Sequence, residues 1–208
     1  MKTPVRAAAA AMAALALCAC GHSGASDSST ASAAASASQA STSNDSGAAS
    51  DGMMTLLPTG NLVIQVPGDA VTGTTTTYDD GMQQTYYDSR GSIPLTVAVE
   101  YYAAGAKPAA SILTAEQQAL TAQSIQPKVT PVDVPGGSGA NRLDWQTTAI
   151  PPWLQDRKTS EVPITCAGII VDGPGGESYG VYVFADPKNK ESLNRMSSVL
   201  TSVAVSAS

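Results

Sequence analysis

Side chains capable of nucleophilic or metal chemistry are scarce in this sequence. The 208 residues include three cysteines and one histidine. His22 lies in a polar N-terminal tract, so the rest of the chain has no imidazole to activate a serine or cysteine. Cys166 lies in the apolar run PITCAGIIV, which is typical of a core thiol rather than a reactive one. We therefore predict no catalytic residue, no metal site and no cofactor.

Carboxylates and glycine-rich segments are the remaining places to look for chemistry. Hydrolysis of a glycosidic bond needs two carboxyl groups about 5–9 Å apart, a separation that spacing along the chain does not set. The candidates are Asp133, Asp144, Asp172 and Glu177. The segment YDDG (78–81) lacks the alternating ligands of a calcium loop. The loops at 135–139 and 173–177 join strand to strand in the predicted order, which indicates turns rather than phosphate loops.

Aromatic side chains are the strongest indication of a binding surface. Tyr86 and Tyr87 are adjacent, as are Tyr101 and Tyr102, so in a strand the members of each pair face opposite sides. One member of each pair is expected in the core, and the other to line a shallow groove for a glycan, peptide or protein. Trp153 lies in the proline-stiffened loop AIPPWLQD and is a further candidate contact, with packing onto the core as the alternative.

Composition divides the chain into three regions. Residues 1–19 place two basic residues before an apolar run that is too short to span a bilayer, as in an export signal. Residues 20–52 begin with a cysteine and are dominated by Ser, Ala, Thr and Gly. Because such a segment buries too little surface to offset its backbone entropy, it is predicted to be a disordered linker. Residues 53–208 hold both tryptophans and all seven tyrosines, and are predicted to form a single globular domain.

The charge of the chain is negative. Without its predicted signal it carries 9 basic and 17 acidic residues, a net charge of −8, and has no basic cluster. This balance argues against nucleic-acid binding and against electrostatic docking on an anionic lipid surface.

The segment LCACG (17–21) resembles the lipobox of bacterial lipoproteins. Cys20 has Leu17 at position −3, Ala19 at −1 and Gly21 at +1, whereas Cys18 would have a leucine at −1, where the family has a small residue. The resemblance implies cleavage before Cys20 and lipidation of its thiol, including a palmitate-type acyl chain. Two or more chains give stable attachment, here to the outer face of the cell membrane. An ordinary signal peptide with incidental cysteines is the alternative.

Periodicity predicts the order of elements in the domain. Strands are expected at 61–69 and 93–103, hairpins at 74–88, 128–149 and 162–186, and a short final strand at 204–205. One helix is expected within 107–125, with Pro108 near its start and Thr114 or Ser111 as the candidate cap, and a second after an N-cap at Asp186. Hairpins with two segregated helices predict an α+β fold, a mainly antiparallel sheet flanked by two helices.

Three segments carry a second resemblance, to the PsbP-like domain that also occurs in small bacterial lipoproteins of the LpqN type. They are LVIQVPGD (62–69), DVPGGSGANRLDWQTT (133–148) and the closing stretch from Tyr179 to Val205. The resemblance implies an α/β/α sandwich. It also implies a role in binding or assembly without shared catalytic residues.

The sequence thus predicts a lipid-anchored, surface-displayed binding or assembly module of the cell envelope that is not an enzyme. An envelope protein or a cell-wall glycan is the expected partner. A carboxylate-dependent cell-wall hydrolase and a purely structural lipoprotein are the alternatives.

Overall fold

The structure is a computed structural model that describes residues 53–56, 58–88, 93–154 and 160–206. The predicted signal, the lipidation site at Cys20 and the predicted linker lie outside the described residues.

Within those ranges the chain forms ten strands and two helices. The strands are β1 (Met53–Leu56), β2 (Leu62–Pro67), β3 (Ala70–Thr77), β4 (Gly81–Asp88), β5 (Leu95–Tyr102), β6 (Lys128–Pro131), β7 (Ser138–Ala149), β8 (Val162–Asp172), β9 (Ser178–Ala185) and β10 (Ala204–Val205). The helices are α1 (Ala109–Ala122) and α2 (Lys190–Thr201). A large sheet has the order β3-β4-β5-β9-β8-β7-β6, and a small sheet has the order β1-β2-β10. Every pairing is antiparallel.

Strand β9 lies near the middle of the large sheet and is buried along its whole length. Its sequence, SYGVYVFA, reads as a nearly continuous apolar run, as expected of a strand covered on both faces. Side chains alternate along it, so Tyr179, Val181 and Val183 enter one core and Tyr182 and Phe184 enter the other. The strand therefore connects two separate hydrophobic layers.

Each layer is closed by different elements. On one face, α2 and the small sheet cover a core that includes Leu62, Ile64 and Leu200. On the other face, α1 packs on β7, β8 and β9 and buries Ile112 and Leu120. The large sheet is therefore covered by α2 and the small sheet on one face and by α1 on the other, which confirms the predicted α+β class.

Most of the predicted elements are present. The strands and hairpins at 61–69, 74–88, 93–103, 128–149 and 162–186 match β2 to β9, and the final strand is found at 204–205. Strand β1 was not predicted. It is four residues long, and it is defined by pairing with β2 rather than by a pattern of its own.

Pro108 lies at the start of the first helix, as the sequence indicates, but the predicted caps at Ser111 or Thr114 and at Asp186 are wrong. Helix α1 begins directly after Pro108. Proline is favoured at a helix start because the N–H groups there have no partner within the helix, and proline has no N–H to leave unpaired. Helix α2 begins after Asn189, whose side chain accepts a hydrogen bond from the Ser192 backbone N–H at 3.0 Å. Asp186, the predicted cap, instead accepts from the Lys188 backbone N–H in the preceding turn.

No helix in the described part of the chain combines the length and the apolar character that crossing a bilayer requires.

The glycine-rich segment 135–139 owes its composition to a close backbone approach. Gly136 has φ +74°, and a side chain there would meet the carbonyl oxygen of Val205. The Val205 N–H in turn donates to the Pro135 carbonyl oxygen at 2.8 Å. The turn therefore holds strand β10 in place.

Gly105 provides a matched control, because it has a similar φ of +75° with open space around its Cα. We expect Gly136→Ala to lower the free energy of unfolding by about 1–3 kcal/mol more than Gly105→Ala, since only the former adds overpacking to the strain of a left-handed backbone. Urea denaturation of both variants measures the difference. Equal losses would show that the contact with Val205 is not a constraint.

Candidate functional site

The tyrosines predicted to line a groove do not share one exposed surface. Tyr86 and Tyr102 are 5% and 2% exposed, and they belong to the α2-side and α1-side cores respectively. Tyr87 is half-buried. Tyr101 is also half-buried and packs on the α2-side core, its ring centroid 5.7 Å from that of Tyr179. The four rings are therefore distributed over two faces of the sheet, and their role in binding stays a prediction.

Trp153 is half-buried and packs against the α1-side core. Its ring therefore covers part of that core, in agreement with the alternative that Trp153 packs onto the core rather than forming an exposed binding contact.

The four carboxylates considered for hydrolysis are engaged separately or exposed. Asp172 Oδ1 accepts hydrogen bonds from the Ala109 backbone N–H and from Ser178 Oγ, both at 2.7 Å, so it caps α1 from the end of β8. Asp144 forms a 2.7 Å ion pair with Arg142, and Glu177 accepts a hydrogen bond from the Tyr179 hydroxyl at 3.3 Å. Asp133 is exposed in the loop between β6 and β7.

A groove of about 640 Å³ lies between α2 and the outer face of β2. Its polar lining includes Thr55, Gln65, Asn194, Ser198, Thr201 and Ser202, and none of the described residues that line it is charged. Ser202 Oγ accepts a hydrogen bond from the Gln65 backbone N–H at 2.8 Å and donates one to the Val199 carbonyl oxygen at 2.7 Å. These bonds tie the end of α2 to β2 and fix the shape of the groove.

A second cluster of polar side chains lies under α1, where two carboxyl groups are buried. Glu100 is 0% and Glu116 is 5% exposed. Glu100 lies on the same face of β5 as Ala98 and Tyr102, which belong to the core under α1. Glu116 occupies the buried stripe of α1, four residues from both Ile112 and Leu120.

Each carboxyl group accepts a hydrogen bond from a neighbouring side chain. Gln83, the cross-strand partner of Glu100, donates from Nε2 to Glu100 Oε1 at 3.0 Å. The Tyr182 hydroxyl donates to Glu116 Oε1 at 3.3 Å. Tyr182 reaches the helix because its ring lies across Gly168 and Gly180, where a Cβ would collide with ring atoms at 2.6 and 2.7 Å.

Other polar groups crowd the same place without hydrogen-bond partners. Within the described ranges, Glu100 Oε2 and the hydroxyls of Tyr78 and Tyr102 are buried and unpaired. The rings of Tyr78 and Tyr102 stack with centroids 6.4 Å apart, and Lys107 Nζ lies 4.8 Å from the centroid of the Tyr102 ring. Lys107 is the cation that acts on both carboxyl groups.

Burial makes these carboxyl groups weak acids. Burial first, and then the charge of Glu116, raise the pKa of Glu100 to about 8, against the opposing effects of Lys107, the Gln83 amide and the nearby Tyr102 hydroxyl. Burial raises the pKa of Glu116 to about 7, although the Tyr182 hydrogen bond and Lys107 lower it. Burial also raises the pKa of Tyr102 and of Tyr182 above the ordinary phenol range, so both hydroxyls are neutral at pH 7.

The arrangement suits proton exchange rather than metal binding or surface catalysis. Among the residues that the structure describes, no group of three or more His, Cys, Asp or Glu side chains could hold a metal ion. Cys166 is buried in the core under α1. Both buried carboxyl groups are shielded from solvent, so a polymer at the surface does not reach them.

Neither Glu100 nor Glu116 was among the predicted site residues, although each leaves a signal in the sequence. Glu100 interrupts the run LTVAVEYY, and Glu116 takes an apolar position in the repeat Ile112, Glu116, Leu120. A charge inside an apolar stripe indicates a buried ionisable group. That the two stripes face one another depends on how α1 docks.

Comparison with known proteins gives a similarity of fold. No protein-family model matches the sequence, and no curated protein matches it either. The structure is similar to the solution structure of cyanobacterial PsbP (CyanoP) from Synechocystis sp. PCC 6803, with a TM-score of 0.49 and 8% identity, covering 78% of this chain and 98% of that one. At this level of similarity, no activity or partner transfers to this chain.

The raised pKa of Glu100 predicts a stability that falls as the pH rises. Below about pH 4.5 the group is protonated in both the folded and unfolded states. Between pH 4.5 and 8 the unfolded state ionises while folded Glu100 keeps its proton, so the free energy of unfolding decreases. We expect Glu100→Gln to be more stable than the wild type at pH 8 by on the order of 3 kcal/mol, and close to it at pH 4.

Urea denaturation between pH 4 and 8.5 measures this difference. Glu161→Gln, at an exposed carboxylate, is the matched control and should follow the wild type. Parallel stability curves for the wild type and Glu100→Gln would contradict the assignment.

Proposed function

We propose that this protein is a lipid-anchored binding module of the outer face of the cell membrane. Its ligand is an uncharged polyhydroxyl chain, such as a stretch of envelope glycan, held in the groove between β2 and α2. The module is not an enzyme in this proposal. The observation that carries the binding part is the lining of the groove, in which hydroxyl and amide side chains occur without any charge.

The anchor rests on the sequence before the domain. LCACG follows a basic segment and an apolar run, as a lipobox does, and Cys20 has the small neighbours that the motif requires. A flexible tether over 20–52 would have a root-mean-square reach of about 30 Å. That distance lets the domain turn above the lipid head groups and reach a polymer in the envelope.

The groove supports a neutral ligand for electrostatic reasons. The exposed Asn194 amide can donate and accept hydrogen bonds, and the hydroxyls of Ser198 and Thr201, which donate to helix carbonyl oxygens, offer acceptor oxygens. Such a lining matches the hydroxyl groups of a sugar, and it offers no ion pair to an acidic or basic peptide. Because Ser202 ties α2 to β2, the groove is already formed before a ligand binds, which lowers the entropy lost on binding.

The described carboxylates do not favour the alternative of a hydrolase. Asp172 caps a helix, Asp144 pairs with an arginine, and Glu177 accepts from a tyrosine at the β8–β9 turn. A purely structural lipoprotein would lack glycan binding altogether, and co-sedimentation with cell-wall glycan distinguishes the two.

The anchor predicts that one cysteine is required for membrane attachment. We expect Cys20→Ala to move the protein from the membrane fraction to the soluble or secreted fraction, because the residue that carries the acyl chains is lost. Fractionation of cells after a high-salt wash, followed by mass spectrometry of the N-terminal peptide, measures the change.

Cys18→Ala is the matched control and should leave the protein lipidated and membrane-bound. Retention of Cys20→Ala in washed membranes, or an unmodified N-terminus on the native protein, would contradict the anchor.

The groove predicts binding to envelope glycan that a bulky side chain blocks. We expect the full chain to co-sediment with purified, protein-free cell-wall glycan, and Ser198→Arg to weaken this binding about fivefold or more, since losing one hydrogen bond costs about 1 kcal/mol. Ser198 is exposed on α2 at the groove.

Ser111→Arg makes the same change on the exposed face of α1, away from the groove, and should bind like the wild type. No sedimentation of the wild type would contradict glycan binding. Equal losses in the two variants would contradict the groove as its location.

A further inference from the structure

The interface between α1 and the large sheet is where hydrogen bonding is incomplete. In the described ranges, five buried polar atoms have no partner, and they are Tyr78 OH, Thr96 Oγ1, Glu100 Oε2, Tyr102 OH and Trp145 Nε1. Tyr102 and Trp145 belong to the core under α1, and Thr96 and Glu100 share the face of β5 on which Tyr102 lies. Tyr78 stacks on Tyr102.

This concentration calls for a physical explanation, because nearly all buried polar groups in folded proteins are hydrogen-bonded. Tyr182 connects the two buried carboxyl groups, because its hydroxyl donates to Glu116 on α1 and its ring lies against Gly180, the cross-strand partner of Glu100. Burying one neutral carboxyl group is tolerable, whereas burying two charges of the same sign near one another is strongly unfavourable.

We propose that Glu100 and Glu116 form a proton-operated latch between β5 and α1. While at least one of them holds a proton, α1 stays packed on the sheet. When both ionise, α1 opens locally and admits water to the two carboxylates.

The charge balance around the pair leaves few ways to avoid this opening. The charge of Glu116 raises the pKa of Glu100. Lys107, in the loop before α1, is a cation that lowers the pKa of both carboxyl groups. Asp80 adds negative charge near the tyrosines. Among the described residues, the titratable groups that act on the pair or on the tyrosines beside it are Tyr78, Asp80, Tyr102, Lys107 and Tyr182. Within that set one cation stands against the two carboxylates, and the phenols are neutral.

The helix is the part that moves. Strand β5 is hydrogen-bonded along its length to β4 on one side and to β9 on the other, so Glu100 is held in place. Helix α1 is held by side-chain packing on β7, β8 and β9 and by the Asp172 cap on its first residue. Because the cap lies at the N-terminus, opening is expected to be largest over the part of the helix that contains Glu116 and Leu120.

Hydrogen exchange of the full chain at pH 5.5 and pH 8.5 tests the latch. We expect the protection factors of amides in 112–122, corrected for the intrinsic exchange rate at each pH, to fall about tenfold or more at the higher pH. Amides of α2 should change by less than about threefold, which separates local opening from global unfolding.

Glu100→Gln and Glu116→Gln should each abolish the pH-dependent loss in α1, and Glu161→Gln should preserve it. Either Gln variant alone suffices if the other does not fold. Constant protection of α1 in the wild type would overturn the proposal. So would an equal fall in both helices, or a fall that persists in the Gln variants.

Discussion

The burial of β9 on both faces is the constraint on which the rest of this structure depends. All eight of its residues are buried, and its neighbours β5 and β8 pair with it along its length. Because side chains alternate, a single strand supplies both hydrophobic layers, and each layer requires its own cover. Helix α1 supplies one cover, and α2 with the small sheet supplies the other. The two faces can therefore differ in chemistry while sharing one scaffold.

The two covers do differ, and the difference follows from how polar groups are satisfied. On the α2 side, Ser192 and Ser202 donate to and accept from backbone groups, so the helix is tied to the sheets at both ends. On the α1 side, a carboxyl group from each element is buried with one polar contact, and several hydroxyls have none. A rigid face suits a preformed binding groove, whereas an incompletely satisfied face suits a conformational response. The proposed binding and the proposed latch thus lie on opposite sides of β9.

The candidate sites show which signals in a sequence are local and which are not. Glu100 in its apolar strand and Glu116 in its apolar helix stripe are each visible as anomalies, because a charge at a core position has no ordinary explanation. Their proximity is not visible, since it depends on the docking of α1 across β9. The tyrosines show the reverse case. Alternation assigns Tyr101 and Tyr102 to opposite faces, but whether a face is open or covered depends on elements distant in the chain.

The sequence by itself determined the order of the elements and the α+β class, because periodicity, turn residues and proline positions act over a few residues. It also contains the spacing around Cys20 on which the proposed anchor depends. Pro108 marks the start of α1 in the sequence, but only the tertiary structure decided that the first N–H of this helix is capped by Asp172, 63 residues further along the chain. The same is true of the short strand β1, of the hydroxyl-lined groove and of the paired carboxyl groups. These features consist of contacts between distant segments, and the packing of two layers on one central strand brings those segments together.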